Sequence, residues 1–315
     1  MKTNILIFSA VLLLVNPLSS RSQNNAPLKG NITISGAFAL YPMAVKWAEE
    51  FKKLNPGVQI DISAGGAGKG MTDALSGTAD IGMISREINP EEIKKGAFPI
   101  TVTKDAVIPT MSSKNPLFDF IMKKGVKRDA FSKLWITGQT KTWGQVLSVK
   151  ATFPVHVYTR SDAAGAGETW AKYLGKKQED LLGVGVFGDP GLATAVKKDP
   201  SGIGYNNIVY IYDATTKRQT NGVRVVPIDL NNNGVLDPEE NFYDTIDDII
   251  KAIADGKYPS PPARDLYFVT KGKTTNPLVV AFITYVLKEG QNFVHEAGYI
   301  SIPKERIQGE LNKFK

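Results

Sequence analysis

Three glycine-rich runs hold the residues best placed to do chemistry. They are Ser35-Gly36-Ala37-Phe38-Ala39-Leu40-Tyr41-Pro42, Gly65-Gly66-Ala67-Gly68-Lys69-Gly70 and Arg160-Ser161-Asp162-Ala163-Ala164-Gly165-Ala166-Gly167. Each lies between a strand-like and a helix-like stretch, and Pro42 falls in a first helical turn, where its missing N–H costs little. A helix start presents unpaired N–H groups and a partial positive charge, so three of them brought together bind a small anion through the backbone. Gly and Ala keep that backbone accessible. Taken singly, each run is an ordinary tight connection, Arg160 with Asp162 reads as a structural ion pair, and Lys69 as a solvated loop lysine. Three runs in one chain, one headed by Arg160 and another containing Lys69, tip the reading towards an oxyanion pocket.

A second constellation runs from Asp229 to Glu240, Asp-Leu-Asn-Asn-Asn-Gly-Val-Leu-Asp-Pro-Glu-Glu. It fits the twelve-residue calcium loop of an EF-hand. Oxygen donors fall at the first, third and fifth places (Asp229, Asn231, Asn233), a turn-forming Gly234 at the sixth and the Val235 carbonyl at the seventh. Asp237 follows at the ninth and a closing carboxylate, Glu240, at the twelfth. The pattern predicts a structural Ca2+ site; the alternative is a polar turn that binds nothing. Val223–Ile228 reads as a strand and residues 242–254 as a helix, which makes this a loop inserted in a larger domain. Two Asn donors lower the charge count, which suits a compartment rich in calcium.

Enzymatic chemistry finds little support. The chain has no Cys and only two His, and neither His156 nor His295 lies in an HExxH or GxSxG setting. The pairs Asp247-Asp248 and Glu49-Glu50 lie on helix faces and read as solvated charge. A catalytic metal would need an open, His-supported site.

The elements that must position these runs alternate along the chain. Strands are expected at residues 31–35, 58–63, 79–84, 106–112 and 266–270 and helices at 41–54, 71–76 and 278–289, while residues 127–134, 142–147, 155–159, 169–174 and 202–212 alternate in the same manner. This order argues for an α/β fold, and 315 residues suffice for two domains. The expected lobes are residues 31–113 plus 264–315 and residues 114–263, with a ligand cleft between them. Trp47, Trp135, Trp143 and Trp170 lie in apolar patterns and are expected in the cores. Lys2, the apolar run Ile5–Val15 and the small residues up to Ser22 have the form of a cleavable signal peptide over residues 1–22, too short to span a bilayer. The protein is therefore expected to be exported, and without Cys it is not a lipoprotein. Loss of Lys2 and Arg21 with that leader lowers the formal net charge from +7 to +5. With no basic block interleaved with aromatics, nucleic acid is not an expected partner.

Several stretches carry a family likeness: Ala79-Asp80-Ile81-Gly82-Met83-Ile84-Ser85-Arg86, Leu134-Trp135-Ile136-Thr137-Gly138 with Trp143, Arg160-Ser161-Asp162 and Gly202-Ile203-Gly204-Tyr205. In the tail, Tyr267-Phe268-Val269-Thr270, Glu289-Gly290-Gln291 and Ala297-Gly298-Tyr299 belong with them. Over most of its length the chain resembles the phosphate-binding protein family, the periplasmic substrate-binding component of the ABC phosphate-uptake system. The resemblance implies a type II periplasmic binding protein fold, two lobes of mostly parallel sheet closing on a tetrahedral anion. It also implies delivery of a small inorganic or phosphorylated anion to an ABC permease in the inner membrane by a monomer in the periplasm. By position, the anion contacts fall on Phe38, Ala39, Leu40, Ala67, Gly68, Ser85, Arg160, Ala164, Gly165 and Ala166, with Asp162 steadying Arg160. Ala39, Ala67, Ala164 and Ala166 stand where the family usually has hydroxyls, so amides must carry more of the binding, with Lys69 and Ser85 as replacements. An exported phosphate-related hydrolase or an anion-sensing protein on the same scaffold is the alternative reading.

Overall fold

Alternating strands and helices build two hydrophobic cores on one continuous sheet. The computed structural model describes residues 27–315, so the expected leader lies outside the described residues. The first elements are β1 (Lys29–Gly36), α1 (Tyr41–Leu54), β2 (Gly57–Ala64), α2 (Ala67–Ser76), β3 (Ile81–Ile84) and α3 (Pro90–Lys94). The long strand β4 (Ala97–Ser112) leads into α4 (Phe118–Lys124), β5 (Val126–Lys127), α5 (Arg128–Trp135), α6 (Trp143–Leu147), β6 (His156–Arg160) and α7 (Gly165–Tyr173). Next come β7 (Val184–Val186), α8 (Gly188–Lys198), β8 (Gly202–Asn207), β9 (Val223–Val225), β10 (Ile228–Asp229) and α9 (Ile246–Ala254). The chain ends with β11 (Ala263–Lys271), α10 (Pro277–Leu287) and α11 (Lys304–Asn312).

The strands lie in the order β2-β1-β3-β11-β4-β8-β6-β7, with β9 also on β4. Both flanks are parallel, β1 with β2 and β3, and β6 with β7 and β8. At the centre β11 runs antiparallel to β3 and β4, and β4 antiparallel to β8 and β9. Ile32, Trp47, Met83, Phe268 and Phe282 belong to the first core, and Trp135, Trp143, Trp170, Tyr205 and Tyr243 to the second. Helix α1 shows how pattern becomes packing. Its buried Met43, Ala44, Trp47, Ala48 and Phe51 form one apolar stripe, and Trp47 Nε1 donates to Gly290 O at 2.8 Å, tying the helix to the tail.

Strand β4 belongs to both cores: Ile100 and Val102 pack in the first, Ala106, Val107, Ile108 and Met111 in the second. The chain thus crosses between lobes near residues 103–105 rather than after Ser113. An extended strand can change cores without a turn signal, and the Ser113-Lys114-Asn115-Pro116 punctuation marks only its end. Two helices begin earlier than their apolar patterns, α2 at Ala67 instead of Met71 and α7 at Gly165 instead of Thr169. The glycine-rich runs therefore supply first helical turns as well as connections. Helix α9 begins later than residue 242, because Thr245 caps it by accepting the Asp248 N–H at 3.1 Å. No described helix is long and apolar enough to cross a membrane.

Close backbone approach explains the glycine at position 70. A Cβ there would lie 2.6 Å from Met83 O and 2.8 Å from the Cα of Gly36, where α2 rests on β1 and β3. Gly70→Ala should lower stability by about 1–3 kcal/mol through this overpacking, read as an earlier midpoint in urea denaturation.

Candidate anion-binding site

The three glycine-rich runs meet between the lobes. Gly68 N, in the first turn of α2, donates to Ala163 O of the third run at 3.1 Å. A Cβ on Gly66 would lie 2.9 Å from both Ala163 O and Asp162 Oδ2, and one on Gly68 would lie 2.7 Å from the Ala163 side chain. Only residues without side chains let the second run rest on the third this closely. Ser85, just after β3, packs against the start of α7 so tightly that a Cβ on Gly165 would collide with its hydroxyl. The first run closes the ring. Phe38 O accepts from Tyr210 Oη at 2.8 Å, Ala39 O from Tyr299 Oη at 2.7 Å, and the Arg160 guanidinium lies 5.4 Å from the Phe38 ring centroid.

Arg160, at the end of β6, gives the site its charge pattern. Its Nε and Nη2 grip Asp162 at 2.8 and 2.6 Å, and its Nη1 donates to Asp189 at 2.5 Å. Both ion pairs are almost fully withdrawn from solvent, with the Arg160 side chain 1% exposed. Burial works against the cation, but Asp189 and Asp162 outweigh it and hold the Arg160 pKa above its usual value. Two of its five N–H groups remain for a further acceptor. Because two carboxylates face one guanidinium, side-chain charge alone does not favour an anion here.

Unpaired backbone donors remain. Among the described residues, the amides of Phe38, Ala39, Ala67, Gly165, Ala166 and Gly167 have no hydrogen-bond partner. They come from all three runs, and four of them belong to the first turns of α2 and α7, where positive partial charge concentrates. Other expected contacts are already engaged. Leu40 N donates to Ala37 O at 3.2 Å and its side chain is buried in the core. Ala164 N donates to Gln178 Oε1 at 3.0 Å, while Gly68 N is spent on Ala163. Lys69 turns away, its Nζ bonding Ser35 Oγ at 3.0 Å and the Asp73 carboxylate. Burial raises the Asp73 pKa, but its bonds to Lys69 and Ser35 prevail and hold it below the usual range. Lys69 is thus neutralised at home, because four residues of helix bring it over Asp73.

Sequence reading did not single out Asp189, Gln178, Asn207, Arg264 or Asp105. Asp189 stands in the first turn of α8, after the short strand β7, and accepts from Asn207 Nδ2 at 2.7 Å as well as from Arg160. Arg264 on β11 binds Asp105 on β4 at 2.8 Å, Thr169 on α7 at 3.1 Å, and the Asn207 side-chain oxygen. Burial drives the Asp105 carboxyl pKa up, against the pull of Arg264. The Asp-Pro pair after a strand was the available signal for Asp189; the others are joined only by folding. A cleft of about 1050 Å³ opens beside the third run, reaching Arg160, Asp162 and Ala163 and lined further out by Arg86, Arg264 and Arg306.

A superfamily model described as PBP superfamily domain matches residues 21–289. The chain belongs to the PBP superfamily. Among its relatives, the phosphate-binding protein PstS of Pseudomonas aeruginosa is 27% identical over 95% of this chain and 92% of its own length. PstS of Bacillus subtilis is 25% identical over 93% of this chain and 88% of its own. A Clostridium perfringens structure with bound phosphate superposes with TM-score 0.72 at 23% identity, covering 87% of this chain and all (100%) of that one. This last likeness shows the fold.

In this PBP superfamily member the Asp229–Glu240 segment folds as a tight loop off β10. Asp229 Oδ2 accepts Gly234 N at 2.8 Å, and Glu240 Oε1 accepts the amides of Leu230 and Asn231 at 2.9 and 2.8 Å. Asn231 Oδ1 accepts Asn233 N at 2.9 Å, and Asn233 Oδ1 accepts Val235 N at 2.8 Å. Asp237 Oδ2 takes the side-chain amides of Asn231 and Asn233 at 2.7 and 2.8 Å. His156 is paired with Asp199 at 2.7 Å on an exposed surface, and His295 is exposed.

Arg160→Ala would leave Asp162 and Asp189 buried without their cation. Chemical denaturation should show a loss of about 3–5 kcal/mol, and adding Asp189→Asn to that variant should recover part of it.

Proposed function

We propose that this chain is an exported substrate-binding protein that closes its two lobes on phosphate or a similar tetrahedral oxyanion and passes it to an ABC permease. The observation that carries this reading is the convergence of free amides from three runs on both lobes, beside a buried arginine with N–H groups to spare. A tetrahedral oxyanion presents several acceptor oxygens at once, which suits donors arriving from several directions. The relatives named phosphate-binding protein PstS support the same ligand class, and a Vibrio cholerae structure described as an ABC-type phosphate transport receptor, with TM-score 0.62 at 18% identity, shares the fold.

Binding, not catalysis, is the chemistry this arrangement favours. Its donors are backbone groups fixed by helices, with Ser85 as the adjacent hydroxyl, and the two histidines lie elsewhere at the surface. Amides fixed before the ligand arrives cost little ordering on binding. The Gly68–Ala163 hydrogen bond joins the lobes, which fits closure around the ligand. Secretion through the leader at residues 1–22, a periplasmic location and a monomeric state complete the proposal.

Titration calorimetry with phosphate, sulfate, molybdate and an organic phosphate tests it directly. Phosphate or one of these analogues should bind with a dissociation constant in roughly the micromolar range or tighter; a folded protein giving no heat with any of them would sink the reading. Gly165→Ala, which sets a methyl group against Ser85, should weaken that binding at least about tenfold, because a 1.4 kcal/mol loss is already tenfold.

A further inference from the structure

We propose that the Asp229–Glu240 loop is a Ca2+ site that fastens a helix–strand turn of the second lobe. The decisive observation is a pair of stranded oxygens. Asp229 Oδ1 and Glu240 Oε2 are buried and have no hydrogen-bond partner, on side chains whose residues are 1% and 5% exposed. In each carboxylate the other oxygen is fixed on amides of the loop itself, Gly234 for Asp229, and Leu230 with Asn231 for Glu240. A single buried carboxylate oxygen without a partner is costly, and two on one short loop call for a shared cation.

The donor chemistry selects the cation. Asn231 Oδ1, Asn233 Oδ1, the Val235 carbonyl and Asp237 stand between the two carboxylates in the chain, so every available ligand atom is oxygen. Oxygen-only sets hold hard cations, and a flexible shell of six to eight such atoms suits Ca2+ better than Mg2+, which demands a near-ideal octahedron. Among the described residues no group of three or more His, Cys, Asp or Glu gathers as a metal cluster. In the loop the third carboxylate, Asp237, is held by the side-chain amides of Asn231 and Asn233, so the site rests on Asp229 and Glu240 with amide and main-chain oxygens completing the shell. Asn232 at φ 63° and Gly234 at φ 83° supply the left-handed turns that fold it back on itself.

The loop's surroundings say what the ion would do. Asp229 pairs with Lys127 of β5 in parallel register, Leu236 N donates to Lys123 O at 2.9 Å, and Lys127 Nζ donates to Asn232 O at 2.6 Å. Gly125, between α4 and β5, packs its Cα against Asp229, where a Cβ would lie 3.0 Å from Asp229 N. Calcium would therefore lock α4 and β5 onto β10. This role is independent of the anion site, so either reading can fail alone.

The test uses the mature chain without phosphate, Ca2+ being the probe. Calorimetry should give one site with a dissociation constant of about 10⁻⁴–10⁻³ M, and Ca2+ should raise the melting temperature by several degrees over a chelator control, with Mg2+ far less effective. Glu240→Gln keeps the oxygen that holds the Leu230 and Asn231 amides, so it should fold and bind Ca2+ at least about tenfold more weakly. If that variant fails to fold, the exposed Asn233→Ala should weaken Ca2+ binding instead. Absence of heat and of any thermal shift at about 10 mM Ca2+ overturns the proposal, as does an unchanged affinity in the variant that folds.

Discussion

Arg160 lies buried between Asp162 and Asp189, and the geometry of the site follows from the need to keep those three charges together. Withdrawing a guanidinium and two carboxylates from water is costly, and the cost is offset only while their hydrogen bonds hold. The end of β6, the third glycine-rich run and the start of α8 are consequently fixed against one another. The constraint extends further, because Asp189 shares Asn207 with Arg264, and Arg264 binds Asp105. Asp105 and Arg264 sit on β4 and β11, the strands that cross between the lobes. One polar chain thus runs from the crossing strands to the mouth of the site.

Such a chain neutralises its own cation, and this shapes the chemistry left for a ligand. Lys69 is likewise paired at home with Asp73. What remains unpaired, besides two N–H groups of Arg160, is backbone: amides at or just before helix starts, held in place by elements already folded. Donors of this kind suit a small anion whose charge is spread over several oxygens, and they discriminate by geometry rather than by net charge. The alanines at positions 39, 67 and 166 fit that arrangement, since each presents its amide and adds no competing group.

Small residues serve a second purpose at the same place. Gly66, Gly68 and Gly165 are among the points where the lobes touch, and any side chain there would strike Ala163, Asp162 or Ser85. The small residues that leave these amides unpaired also allow the two halves to approach closely.

Local chemistry made much of this visible in the chain itself. Alternating strand and helix periodicity gave the α/β order, the apolar stripe of α1 and the four buried tryptophans gave the core, and the glycine-rich runs gave the backbone positions whose amides stay unpaired. The twelve-residue spacing of oxygen donors gave the candidate calcium loop, since spacing within one loop is a local property. Folding alone decided the pairings between distant residues. That Arg160 has a second carboxylate in Asp189, that Gln178 occupies the Ala164 amide, that Lys69 is held by Asp73 and Ser35, and that β4 changes cores near residue 103 all depend on which segments meet. Sequence fixes each residue's capacity to donate, accept or pack, but a partner far along the chain becomes a partner only when burial removes water as its competitor.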